Sequence, residues 1–284
     1  SHGAQLRQLS LSGLACWWLV LGVGISWSSL VVNALAWRVL VGWLGHRPRQ
    51  ISLIPLFLSS NLLKYLPGGI WHLVERMRVL RPHLGAGPAL ASVLLEPLLM
   101  AVAALLWVPF GGWQSGLAMA CCLPAMLLIP RWREPLLRRL ERAKAKQLDR
   151  VDAGLVGVVS AESLGSGRDD YPWSSLAMEM LFVAFRFAGF WCCVMAFSLS
   201  TSLSMGEWLA AFALAWTVGL VVPAAPGGLG VFEATLLLRV GSEVPEAPLL
   251  AVVLCYRVIA TIADGLAAAA VAGDRALLKR QTVH

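Results

Sequence analysis

His72 and Glu75 stand three residues apart, a spacing that puts both on one face of a helix and suits metal binding or proton transfer. No His-Glu-x-x-His pattern and no second histidine group accompanies them, so the expectation is contact with a lipid headgroup, with no catalytic residue and no bound metal. They belong to "NLLKYLPGGIWHLVERMR" (61–78), where Asn61, Lys64 and Arg76 flank the break Pro67-Gly68-Gly69. A second break, Pro226-Gly227-Gly228, precedes Glu233. Proline withholds its N–H and glycine adopts conformations closed to other residues, so each break starts a short helix with unpaired N–H groups and a positive dipole end. Two such ends, at Gly68-Gly69 and Gly227-Gly228, are suited to hold an anion.

Four further charges, Glu96, Arg186, Arg257 and Asp264, fall inside long apolar stretches. A charge at such a position costs about several kcal/mol unless it is paired or faces water. Arg186 and Arg257 are the stronger headgroup ligands, because a guanidinium grips phosphate through two parallel hydrogen bonds. Internal pairing, such as Glu96 with Arg257 holding two halves together, is the competing reading. Asp264, Glu96 or Glu233 is the expected carrier of a coupling proton.

These residues need a frame, and composition says which. The chain has 284 residues, 58% hydrophobic and 14% charged, where a soluble domain averages about 25% charged. Its mean hydropathy is +0.71. The solvent is therefore a bilayer. The net charge of +7 is bunched, with eight Lys/Arg between Arg131 and Arg150 and three more at Arg275, Lys279 and Arg280. Both clusters follow apolar stretches, which is the positive-inside pattern and not a nucleic-acid footprint. The six cysteines all lie in apolar stretches without C-x-x-C spacing, so neither zinc nor a disulfide framework is expected. "GLGVFE" (228–233) is only a fragment of a dinucleotide fingerprint and follows no strand, so no nucleotide or other cofactor is expected.

The hydropathy pattern predicts an all-α polytopic membrane protein, one transmembrane domain over 1–284. Spans are expected at 9–44, 86–110, 117–129, 173–199 and 247–271, with short helices at 51–66, 70–80, 208–222 and 231–240. A polar, basic loop is expected over 131–170 and a polar tail over 273–284. The second half (171–272) repeats the first (9–110): span, short helix, Pro-Gly-Gly break, short helix, span. With the basic loop and C-terminus cytoplasmic, the halves enter from opposite sides. That makes two inverted-topology repeats, each with a broken re-entrant helical hairpin, linked by 117–129.

The stretches "SSNLLKYLPGGIWHLVERMRVL", "ASVLLEPLLM" and "PAAPGGLGVFEATLLL" resemble the transmembrane region of the lysylphosphatidylglycerol synthase family, also called the flippase-like domain family. The resemblance runs from about Trp17 to the end and rests most on Asn61, Lys64-Tyr65-Leu66-Pro67-Gly68, Glu96 and Pro226 to Glu233. In bifunctional members this region is fused to a soluble aminoacyltransferase and moves the modified lipid across the membrane. The sequence given contains no such domain, so the resemblance implies translocation and not lipid aminoacylation. Where the family commonly has P-x-R-x-G-E after the asparagine, this chain has P-G-G-I-W-H. The resulting expectation is a flippase of a bacterial cytoplasmic membrane for a lipid with an anionic headgroup. The competing class is a non-transporting subunit that docks a separate lipid-modifying enzyme.

Overall fold

Glycine, alanine and serine recur where the longest helices touch, and that is what lets this chain close around polar residues. The computed structural model describes residues 13–66, 69–112, 119–151, 170–222 and 230–281, and the regular structure among them is helical. In chain order the helices are α1 (Gly13–Trp43), α2 (Leu53–Asn61), α3 (Trp71–Leu84), α4 (Ala86–Leu105), α5 (Pro130–Val151), α6 (Trp173–Ala196), α7 (Met205–Val221), α8 (Val231–Val240) and α9 (Glu246–Gln281). Among the described residues four segments are long and apolar enough to cross a membrane: Gly13–Trp43, Ala86–Gly111, Trp173–Ala196 and Glu246–Leu278. The 31 residues of α1 rise about 46 Å at 1.5 Å each, more than a hydrocarbon core of about 30 Å requires. Each half reads long, short, short, long: α1 to α4, then α6 to α9.

The α1–α6 pair is the most extensive helix contact. At Gly189 an added Cβ would come 2.5 Å from Ser26 Oγ, and at Gly22 it would meet Cys192 Cβ at 3.2 Å. Small residues here bring two backbones together, the usual device where lipid supplies no hydrophobic drive between helices. A second close approach joins the halves elsewhere. The carbonyl of Phe110 lies against Gly206 where a Cβ would stand, and Gly111 is pressed likewise on Ala210.

Aromatic packing fixes the second half. Phe190 and Phe212 lie 5.1 Å apart by ring centroids, and Phe232 and Tyr256 meet both, at 5.6 to 6.5 Å. One cluster thus binds α6, α7, α8 and α9, which places Glu233 of α8 beside Arg257 of α9. In the first half Trp37 and Phe57 pack at 5.6 Å beneath α3.

Two expectations are corrected. The predicted span at 117–129 is not one continuous apolar helix: its described part is helical at Met119 and Ala120, then turns and runs on as a 3₁₀ segment, Leu123–Leu128. Six residues at about 2 Å each cover only about 12 Å. Pro124 removes a donor early, and Pro130 drives Ile129 into an extended conformation (ψ 136°) that ends the segment. The predicted polar loop 131–170 begins instead as the helix α5, with Pro130 at its first position, where a missing N–H does no harm. Its start is anchored: the Arg133 guanidinium stacks on Trp43 at 4.7 Å and donates to the Asp170 carbonyl at 3.3 Å, while Tyr171 Oη donates to the Ala125 carbonyl at 3.0 Å. Since Cys121 packs with Val108 and Ala210, residues 121–133 run from the Gly111 end of α4 toward the C-terminal end of α1.

Candidate functional site: three buried charge clusters

Asp264 is the meeting point of the first cluster. It lies in α9 and is 2% exposed. Asn61 Nδ2 donates to its Oδ1 at 2.8 Å, Tyr65 Oη donates to its Oδ2 at 2.6 Å, and Lys64 Nζ lies 2.7 Å from Oδ2. The three partners come from the end of α2 and the 3₁₀ turn Leu62–Tyr65 that follows it. That turn tightens the helix just before the break, so residues 61, 64 and 65 share one side. The segment 61–65 is thereby tied to the last span, about 200 residues on.

The second cluster is wholly within the first half. Arg76 of α3 is 1% exposed and Glu96 of α4 is 4% exposed. Arg76 Nη1 pairs with Glu96 Oε2 at 2.5 Å, and Nε donates to Ser60 Oγ at 3.0 Å. The guanidinium lies 3.8 Å from the Phe57 ring centroid and 5.3 Å from that of Trp37. A charged pair this deep is tolerable because its geometry is short and its remaining donors meet a hydroxyl and aromatic faces. Glu179 of α6, 1% exposed, lies within electrostatic reach of both charges. Its two oxygens have no hydrogen-bond partner among the described residues.

The third cluster is the second half's counterpart, with the signs exchanged. Glu233 of α8 pairs with Arg257 of α9, Oε1 to Nε at 3.0 Å, and Glu233 Oε2 also accepts the Gly230 N–H at 2.7 Å. That N–H bond caps the start of α8 with a carboxylate, where the helix dipole favours negative charge. Arg257 also lies over the Phe232 ring at 5.3 Å. The suggested Glu96–Arg257 pair does not form; each residue pairs within its own half, because the short helix after each break packs on the following long one.

Arg186 stands apart. It lies on α6 with its guanidinium 5.4 Å from the Tyr256 ring centroid. Its Nε and Nη1 have no hydrogen-bond partner among the described residues. Its charge reaches Lys64 and Tyr65, so it borders the Asp264 cluster.

Other expected residues are placed differently. Glu75 turns to Arg78, 3.6 Å away on an exposed face of α3, and so does not enter the buried cluster; Arg76, the next residue, takes the inward position. His72 is half-buried on α3. Gly69 has φ +63°, as its turn demands, but its N–H already donates to the Leu66 carbonyl at 3.2 Å and so is not available to an anion. Gly68, Gly227 and Gly228 lie outside the described residues. Among the described residues no group of three or more His, Cys, Asp or Glu side chains gathers as for a metal. An open groove of about 530 Å³ lies away from the clusters, lined by Leu127, Arg131, Trp132, Pro135, Leu136 and Arg139.

Sequence reading missed Glu179 and Ser60, and singled out Tyr65 only through the family resemblance. Glu179 was open to the argument that found Glu96, a carboxyl inside an apolar stretch. Ser60 gave no comparable signal, since a serine hydroxyl in an apolar helix ordinarily bonds its own backbone, as Ser60 Oγ does to the Phe57 carbonyl.

Several long apolar helices enclosing paired charges define a multi-span helical membrane protein. The family model described as the lysylphosphatidylglycerol synthase TM region matches residues 3–268, and the chain belongs to that family. No curated protein matches it.

Proposed function

We propose that this chain moves a lipid, or a lipid-linked molecule, with an anionic headgroup across the bacterial cytoplasmic membrane. One observation carries the proposal. Of the inward cations, Lys64, Arg76 and Arg257 each pair with a carboxylate and Arg133 is held by Trp43 and backbone carbonyls, while Arg186 Nε and Nη1 have no hydrogen-bond partner among the described residues. An intramembrane guanidinium without an anion is a functional group awaiting one, and a phosphate fits it in two parallel hydrogen bonds.

On this reading the two halves are inverted repeats whose broken hairpins enter from opposite sides, the basic helix α5 and the C-terminus being cytoplasmic. The exposed Arg131, Arg138, Arg139 and Arg275 support that orientation. The pairs Arg76–Glu96 and Glu233–Arg257 hold each short helix to its long neighbour, so each half moves as a body. The Asp264 cluster joins the moving parts, and its three contacts are the ones to break when the centre opens. The headgroup enters at Arg186, with the tails left in the bilayer.

Native mass spectrometry of the gently purified protein, wild type beside Arg186→Ala, tests this. The expected result is a defined anionic lipid enriched over bulk in the wild type and lost in the variant. Bulk-average lipid in both, with a polypeptide retained, favours the docking-subunit reading, for which the exposed basic face of α5 supplies the surface.

A further inference from the structure

Among the described residues, Glu179 is the one buried carboxyl that the three clusters leave without a cation of its own. Lys64, Arg76 and Arg257 are committed to Asp264, Glu96 and Glu233. Arg76 is filled on two sides, by Glu96 and by Ser60, with an aromatic ring against its face. A second ionised carboxyl beside it would give that pocket a net charge of −1. No described residue donates a hydrogen bond to it, and both Glu179 oxygens are sealed from solvent. Ionised, such a group is far costlier to bury than the same group carrying a proton.

The remaining charged groups on the elements packed against α6 do not change the sum. From α1 comes Arg38, which is exposed; from α4, Glu96 itself; from α7, Glu207, held at the exposed cap by Ser204. From α9 come Asp264 and Arg257, both paired, and toward its ends Glu246, Asp274 and Arg275, all exposed. On α6 itself Arg186 follows seven residues later, about two turns away. Ser175 lies one turn before Glu179 on the same face of the helix, and its Oγ too is buried without a partner, as is Asn33 Oδ1 on α1.

We propose that Glu179 is a proton-binding site, holding one proton beside the Arg76–Glu96 pair and exchanging it with water when the centre opens. The step is a plain ionisation: the O–H bond breaks, its electron pair stays on the carboxylate, and the proton leaves to water. The carboxylate left behind competes with Glu96 for Arg76, which loosens the contact holding α3 to α4. Proton occupancy is thereby linked to the conformation of the first half. This use of the site rests on the translocation reading, and it moves the coupling proton from the three expected carboxyls, all ion-paired, to a fourth.

Infrared difference spectroscopy of the protein in lipid nanodiscs at pH 7 tests the site without any transport readout. The expected result is a carbonyl stretch of a protonated carboxyl, shifted in heavy water, present in wild type and in Glu75→Gln but absent from Glu179→Gln. Because glutamine is isosteric with the neutral acid, Glu179→Gln is expected to unfold at the wild-type temperature. No such band in the wild type, or its survival in Glu179→Gln, overturns the proposal. Lipid movement in vesicles is then measured with a pH gradient of either sign. A rate indifferent to the gradient in the wild type overturns the coupling while leaving both the proton site and lipid translocation standing.

Discussion

Arg76 and Glu96 form a buried ion pair at 2.5 Å between a short helix and the long helix after it, and Glu233 and Arg257 form its counterpart at 3.0 Å with the signs reversed. The first is almost sealed; the second leaves 24% of the Arg257 side chain and 17% of the Glu233 side chain exposed. Equal topology therefore does not mean equal energy.

For the sealed pair, removing one partner strands the other. Arg76→Ala is expected to destabilise the protein by about 3–5 kcal/mol, whereas the double change Arg76→Met with Glu96→Leu costs less than either single change. Unfolding midpoints of the four proteins in one detergent check this. A double change as harmful as the sum of the singles contradicts it.

For the half-exposed pair the loss is smaller. Arg257→Ala leaves Glu233 with its Gly230 N–H bond and access to water, so a loss of about 1 kcal/mol is expected, nearer the value of surface pairs. The same unfolding measurement decides whether the two pairs rank in this order.

Asp264 is expected to hold the first break in place. Asp264→Ala removes two hydrogen bonds and an ion pair at once, so amide hydrogen exchange should rise over residues 53–66. Exchange elsewhere, over α7 and α8, should stay at the wild-type level. Uniform acceleration along the chain would mean global destabilisation instead.

Gly206 lies where a Cβ would meet the Phe110 carbonyl, a backbone atom that has no rotamer with which to move aside. Gly206→Val is expected to cost about 1–3 kcal/mol by overpacking. A neutral result in a thermal scan would mean that the α4 and α7 ends do not touch in the membrane.

The long helices were legible from sequence because about 20 uncharged apolar residues in a row admit almost one reading. The segment 117–129 has that apolar character too, yet from residue 121 on it turns and winds as 3₁₀ around Pro124 and stops before Pro130, so hydropathy alone misleads there. The helix α5 was hidden in the opposite way: its charge announced a cytoplasmic segment, and the eye stopped at charge. Within the site, Glu96, Asp264, Arg186 and Arg257 were found because each violates the apolar pattern around it. Their pairings were not, since Asn61 and Asp264 are 203 residues apart and only the packing of α2 on α9 joins them. Arg76 was found for its place beside the break, but its pairing with Glu96 depends on which face of α3 turns inward. That face is set by Trp37 and Phe57 as much as by α3 itself.

The most direct test of translocation uses purified protein in sealed vesicles carrying a fluorescent phospholipid in both leaflets, with an impermeant reductant added outside. The account predicts that a labelled anionic lipid in the inner leaflet becomes accessible in wild-type vesicles, and that Arg186→Gln slows this at least about tenfold, the loss of about 1.4 kcal/mol or more of headgroup interaction in the barrier state. Rates equal to protein-free vesicles, or rates that Arg186→Gln leaves unchanged, would contradict it.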